Sequence, residues 1–207
     1  MLRISKTCVG IQNEMRDNVM WDETFNIFPE INTGRLNLRE IKQEDAESIY
    51  KILSNPEVIK HDTFELFANI KQAEDMIKWV NDIYKQKRAI FWGITLKNNP
   101  EVIGFCKCEV EIPKVRADLG YDLRREYWNM GIMTETLGAV IEFAFQSLDV
   151  NRIEATVSTE NNSSIRVLEK SGFVKEGILR ERCYMRGNCH DMMMLSILKK
   201  EYCINAR

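Results

Sequence analysis

The sequence predicts a mixed α/β (α+β) fold, one sheet with helices covering its faces. Two observations predict it. Strand-like runs dominate the first half of the chain, and a strand–helix–strand–helix–strand unit fills the second. No internal repeat or low-complexity segment interrupts them. The 207 residues suffice for one core-bearing domain with a modest appendage.

Residues 1–27 belong to no clear element and read as an N-terminal extension to a domain spanning 28–207. RLNLREI, Arg35 to Ile41, alternates apolar and polar residues as a half-buried strand does. Lys42 to Leu53 reads as a helix, with Ala46, Ile49 and Ile52 or Leu53 on one stripe, and Asn55-Pro56 breaks it. A second helix fits Gln72 to Lys85, where Ile77, Val80 and Tyr84 are spaced three and four apart. AIFWGITLK and VIGFCKCEVEI flank a turn at Asn98-Asn99-Pro100, a hairpin pattern that places Cys106 and Cys108 on one face. ADLGYDL, Ala117 to Leu123, is the next strand. Met133 to Ser147 is the clearest helix, with Leu137, Val140, Ile141 and Ala144 at i, i+3, i+4 and i+7. RIEATV is a strand, SSIRVLEKSG a short helix ending at Gly172, and FVKEGIL a strand after it. HDMMMLSILKK closes the chain as an apolar strand, its three methionines read as core packing.

Composition excludes several classes. The formal net charge of -2 gives no global pull toward nucleic acid. No apolar run approaches the roughly 20 residues that span a bilayer, and the N-terminus lacks the apolar stretch of a secretory signal. The six cysteines form no CxxC pair, which argues against zinc or redox use and fits reduced thiols in a cytoplasmic protein. No ligand cluster supports a metal. The two histidines, His61 and His190, give no support for a hydrolase triad.

The stretch YWNMGIMTET, Tyr127 to Thr136, ends a strand and starts a helix. The first amides of a helix lack intrahelical partners and carry partial positive charge, so this junction suits an anion. Gly131 lets an anion approach the main chain, and Asn129 is small enough not to shield it. Thr134 is placed to cap the helix or to offer its hydroxyl. A Walker loop and a dinucleotide fingerprint both fit poorly: Ile132 follows Gly131, and there is a single glycine. On this stretch alone, an ordinary strand-to-helix turn is an equal reading.

A second stretch, NNSSIRVLEKSGF, begins thirty residues past Gly131. With Asn161, Ser164, Leu168, Glu169, Lys170, Gly172 and Phe173 in place, the chain resembles the GNAT N-acetyltransferase superfamily. The branch it resembles most is that of the ribosomal-protein-alanine N-acetyltransferases (RimJ/RimL). FPEINTGRLNLRE, DLGYDLRREYWNMGIMTET and GNCHDMMMLSILKKEY resemble three further family landmarks, in order, so the likeness covers about 175 residues from Phe28 to Tyr202. The resemblance implies a single domain built on a mostly antiparallel sheet of six to seven strands. That sheet splays between its fourth and fifth strands, here ADLGYDL and RIEATV. It also implies acetyl-CoA as co-substrate, with its pantetheine in the splay and its pyrophosphate on the amides of Asn129, Met130, Gly131, Ile132, Met133 and Thr134. Leu123, Asn161, Ser164 and Arg166 complete the implied cofactor contacts. Trp128 and Met133 depart from the usual family loop, as they often do in this branch.

Acetyl transfer needs a neutral amine, a polarised thioester carbonyl and a proton for the departing thiolate. The resemblance points to Asp118, two places before Gly120-Tyr121, as the base that takes the amine proton, directly or through water. A solvent-facing strand aspartate is the plain alternative. Glu109 and Glu111 are the runners-up. Ser164 matches a family serine that stabilises the thiolate, and it also suits a helix start. Asn161 matches a pantetheine contact, and it also suits the turn before a helix. Main-chain amides of the ADLGYDL strand would polarise the thioester oxygen.

The expected acceptor is a protein N-terminal α-amine, with a small amine such as a polyamine, amino acid or antibiotic as the alternative. An acyl-CoA-binding protein without catalysis is the reading from another class. The acceptor region is expected between about Asn55 and Lys71. There Asp62 and Glu65 would meet a cation, and Phe64 and Phe67 would give apolar contact. No nucleic acid or membrane partner is expected, and a homodimer is left open.

Overall fold

The computed structural model describes residues 25–111 and 116–205. Eight strands form one sheet: β1 (Ile31–Asn32), β2 (Leu36–Glu40), β3 (Ala89–Leu96), β4 (Asn99–Val110), β5 (Arg116–Leu123), β6 (Arg152–Ser158), β7 (Val174–Met185) and β8 (Asn188–Leu198). Their spatial order is β1-β2-β3-β4-β5-β6-β8-β7. The helices are α1 (Ala46–Leu53), α2 (Ile70–Lys85), α3 (Ile132–Gln146), α4 (Asn162–Lys170) and α5 (Lys199–Asn205). The sheet thus has one strand more than the upper expectation of seven. The addition is β1, whose two residues are too few to show alternation.

Every neighbouring pair runs antiparallel except β5 and β6. Those two are parallel over Arg116↔Arg152, Ala117↔Ile153 and Asp118↔Glu154 only. Beyond that point β5 stays with β4 as far as Leu123, while β6 stays with β8 as far as Ser158. The sheet therefore opens into a V. An ion-pair knot closes its narrow end. Glu154, 6% exposed, accepts from Arg116 on β5 and from Arg152 at 3.0 Å. Arg152 also holds Glu176 at 2.8 Å, tying in β7.

Both faces of the sheet are covered, which is why AIFWGIT reads as a nearly unbroken apolar run rather than an alternating one. Ile90, Trp92 and Ile94 point into a core with Leu137, Val140, Ile141 and Ala144 of α3. Ala89 and Phe91 point the other way, into a core with Ile49, Ile52 and Leu53 of α1 and Ile77 and Val80 of α2. Each fully buried aliphatic side chain contributes about 1.5–3 kcal/mol. Cys106 and Cys108 share a face, as expected, and are buried among the first set.

Element ends shift for local reasons. Asp45 is gripped by Arg39 through two 2.8 Å bonds and accepts from the Lys42 amide. That leaves Gln43–Asp45 as a 3-10 turn, so α1 starts at Ala46 rather than Lys42. Asn69 and Gln72 form a capping box, so α2 starts at Ile70, two residues before the expected Gln72. The hairpin turn is Lys97-Asn98, with Asn99 and Pro100 already in β4. β7 runs past the expected Leu179 to Met185 across a register break, where Glu181 adopts φ 49° and its amide donates to Asp191 at 2.8 Å. β8 ends at Leu198, and the Lys199-Lys200 pair expected in the strand opens α5. Of the expected N-terminal extension, residues 1–24 lie outside the described residues. Phe25, 7% exposed, already packs on Tyr84 with ring centres 5.0 Å apart.

Candidate active site

The V opens into a cleft of about 430 Å³. One wall is β5, from Asp118 to Asp122, and the other is β6, from Ala155 to Ser158, with Asn161 and Ser164 beyond it. The turn carrying His61, Asp62 and Thr63 and the strand segment Arg182-Cys183 of β7 close the remaining side. That closure is fastened. Arg186, at the tip of the β7–β8 hairpin, donates to the carbonyls of Lys60 at 2.6 Å and Ile59 at 2.5 Å.

Past Leu123 the chain makes the strand-loop-helix turn expected around Gly131. Asn129 has φ 60° and Gly131 φ 73°, both left-handed, and α3 begins directly after. Such alternation turns successive amides toward one side. No side chain caps α3, so its first amides keep their donors. Thr134 therefore does not cap the helix, contrary to one of its two expected roles, because the helix starts at Ile132 and Gly131 is the N-cap. The side chains of Ile132 (3% exposed) and Met133 (6%) lie in the core, so only their main chain faces out. A Cβ built on Gly131 would meet nothing closer than the Arg35 guanidinium, at 3.6 Å. Arg35 is held there by the Met130 carbonyl at 3.1 Å and Glu135 at 2.7 Å. It was read only as the start of a strand, and its charge beside the cradle depends on a contact across 100 residues.

Trp128 donates its indole N–H to the Leu123 carbonyl at 2.7 Å and stacks under Arg125. It thus ties the loop back onto β5. Leu123 itself is 8% exposed and packs in the core, so its carbonyl and side chain are both engaged.

Across the V, Ser164 Oγ and Tyr121 Oη are 2.8 Å apart. In the sequence Tyr121 is a landmark only, and its contact with Ser164 comes from the fold. The signal was its spacing, since Leu119 and Tyr121 share one face and Asp118, Gly120 and Asp122 the other. Burial, partly offset by the Ser164 bond, pushes the Tyr121 phenol far above its ordinary range, so it keeps its proton. Asn161 Oδ1 caps α4 by accepting from the Ser164 amide at 3.1 Å. Asn161 also lines the cleft. Arg166 is exposed on α4 and makes no ion pair or hydrogen bond among the described residues.

Asp118 lines the cleft half-buried, paired with Lys107 at 3.1 Å. Lys107 also holds Glu109 at 3.1 Å. Burial raises the Asp118 carboxyl above its ordinary range, and Lys107 only partly opposes that. Glu111 pairs with Arg116 on the exposed side, away from the cleft. Asp62 enters the cleft, whereas Glu65 is exposed outside it. Phe64 and Phe67 stack edge to face at 6.5 Å and pack into the α1–α2 core. His61 lines the cleft, its basicity lowered by burial and then by Lys60. His190 instead faces the Met185 carbonyl at 3.3 Å. Of the methionine run, Met192 forms part of the cleft wall. Cys106 and Cys108 are free thiols, Cys108 pushed up to about 12 by burial, so neither is a ready nucleophile. Among the described residues no group of three or more His, Cys, Asp or Glu could hold a metal ion. Nor is any helix among them long and apolar enough to cross a membrane.

A splayed mixed sheet, an uncapped helix start beyond the end of β5, and hydroxyl and carboxyl groups in the cleft make up the candidate site. Residues 35–174 match the Acetyltransferase (GNAT) domain family. The chain is 40% identical over 171 residues to the uncharacterized N-acetyltransferase p20 of Bacillus licheniformis, covering 82% of this chain and 96% of that one. It is 38% identical over 174 residues to the uncharacterized N-acetyltransferase YoaA of Bacillus subtilis, covering 84% and 98%. Among solved structures, RimL, a ribosomal L7/L12 α-N-protein acetyltransferase in complex with coenzyme A, superposes with a TM-score of 0.75 at 20% identity. That match covers 82% of this chain and 98% of RimL. The chain belongs to the GNAT acetyltransferase family and is an N-acetyltransferase.

Proposed function

We propose that the protein transfers the acetyl group of acetyl-CoA to a primary amine held between β5, the His61–Thr63 turn and the β7–β8 hairpin. The observation that carries this is the Tyr121–Ser164 hydroxyl pair bridging the V, with Asp118 on the adjacent wall and the uncapped start of α3 beyond the end of the same strand. Acetyl-CoA supplies the activated acyl group. The cradle fits its diphosphate: Gly131 presents bare backbone, α3 offers unpartnered amides, and Arg35 adds charge at the rim. Met130, Ile132, Met133 and Thr134 contribute through their main chain, and Asn129 shapes the turn. Arg166 is a free guanidinium on the neighbouring helix. The inner edge of β5 beyond Asp118, unpaired by β6, offers main-chain partners for the pantetheine arm, Leu123 marking its outer end.

The chemistry then falls to few groups. Asp118 takes the proton that the amine sheds. As the nitrogen–carbonyl bond forms and the carbon–sulfur bond breaks, the departing thiolate takes a proton from the Tyr121–Ser164 hydroxyl pair, which solvent then reprotonates. Asn161 orients Ser164 by capping its helix and lines the cleft. A protein N-terminal α-amine is the acceptor we favour, because its ordinary pKa of about 7.7–8.0 leaves little for a carboxylate to do. A small cationic amine is the second reading, favoured by the carboxyl groups of Asp62 and Asp122 in the cleft. The test is release of coenzyme A thiol from acetyl-CoA across peptides, polyamines, amino acids and aminoglycosides. Amine-dependent release with one class is the expected result. No release above the amine-free rate with any of them would overturn the proposal.

A further inference from the structure

The cleft contains a second acidic position that takes no part in the proton transfers derived above. Asp122 lies four residues beyond Asp118 on β5. Side chains alternate along a strand, so both face the same way, about 13 Å apart at roughly 3.3 Å per residue. Asp122 is 8% exposed, and its Oδ2 is fully buried with no hydrogen-bond partner among the described residues. It nevertheless lines the cleft, as does Asp62. The two carboxyl groups come within hydrogen-bonding reach of each other. Asp62 is fixed by its own turn, accepting from the Phe64 amide at 2.9 Å and the Thr63 hydroxyl at 3.2 Å.

No cation among the described residues answers this pair. Lys107 is committed to Asp118 and Glu109. Arg182 lines the cleft from β7 but makes no bond to either carboxyl. His61, next to Asp62, is kept toward its neutral form by burial. The large majority of buried side-chain polar atoms in folded proteins find a partner, so Asp122 Oδ2, on a cleft-lining residue and with none among the described residues, calls for one from outside. Burial, and then the neighbouring Asp62, hold the Asp122 carboxyl well above its ordinary range, toward its protonated form. An ammonium is the natural group to displace that proton.

We propose that Asp62 and Asp122 form a subsite for a second cationic group of the acceptor, held about four strand residues from the amine that reacts beside Asp118. This rests on the acetyl-transfer reading, since Asp118 marks where the amine reacts. The acceptor is then a molecule with two separated positive charges. It is either a long diamine or polyamine, or a peptide whose basic side chain follows closely on its N-terminus.

The experiment is calorimetry on the CoA-saturated protein near neutral pH. The probes are 1,8-diaminooctane against octylamine, and short peptides carrying lysine against glutamine near the N-terminus. The diamine or the lysine peptide should bind at least tenfold more tightly than its singly charged counterpart, and whichever does so names the source. Binding should also release a proton, seen as a heat that varies with the ionisation enthalpy of the buffer. Asp122→Asn and Asp62→Asn should each remove both effects, and in turnover raise KM more than they lower kcat. Equal binding of doubly and singly charged probes overturns the subsite, as does an undiminished preference in Asp122→Asn. A fall in kcat alone makes Asp122 the base and overturns it too. Failure of the parent to bind CoA at all sinks the transfer reading instead, so the two failures are told apart.

Discussion

Asp118 and Asp122 share a strand face but meet different surroundings. Asp118 is half-buried with a lysine partner, and burial lifts it only against the pull of Lys107. A base of that kind loses activity as the pH falls through its raised pKa. Asp118→Asn should therefore lower kcat by about 10²–10⁴-fold and remove the acid limb of the pH–rate profile. A retained acid limb would assign the base elsewhere. Asp122 is held well above its ordinary range by burial and then by Asp62. Its folded pKa exceeds its unfolded one, so its contribution to stability is complete below about pH 3.9 and fades as the pH climbs toward the folded value. Asp122→Asn should accordingly gain stability relative to the parent between mildly acid and mildly alkaline urea titrations. A stability difference that does not change with pH would contradict the buried, proton-bearing assignment.

At the scale of elements, two short segments position the chemistry. The loop before α3 relies on a left-handed Gly131 and on amides that no side chain caps. Gly131→Val puts a β-branched residue at positive φ, costing about 1–2 kcal/mol of folding stability. It also sets methyl groups in the path of an incoming anion. CoA affinity by calorimetry should drop more than tenfold, beyond what the stability change explains, and unchanged affinity would remove the cradle. The hairpin tip works on the opposite side. Arg186 pins the Ile59–His61 turn and thereby the acceptor wall. Arg186→Ala should raise the amine KM severalfold and leave CoA affinity near the parent value, with at most about 1 kcal/mol lost from an exposed arginine. An unaltered amine KM would show that the clasp is only structural.

For the whole molecule, the V is a place where two half-sheets part, and a ligand filling it joins them. Coenzyme A at about 100 times its dissociation constant should add about 2.7 kcal/mol, raising the thermal midpoint by roughly 5–10 °C. No rise would deny the V its ligand. The sequence by itself determined the elements, because hydrophobic period, glycine position and capping residues act within a few neighbours. The stripe Leu137, Val140, Ile141 and Ala144 and the strand-loop-helix around Gly131 were readable in this way. The family resemblance singled out Asp118, Asn161 and Ser164, and all three line the cleft. Only the tertiary structure decided which groups meet. Arg35 reaches the loop before α3 from the bend just ahead of β2, 95 residues before Met130. Tyr121 finds Ser164 across 43 residues, Arg186 finds Lys60 across 126, and Asp62 finds Asp122 through the fold alone. Those contacts exist because β5 and β6 stay paired for three residues and then part. That parting is settled by packing on both faces and by the Glu154 ion pairs at its base, which no local pattern records.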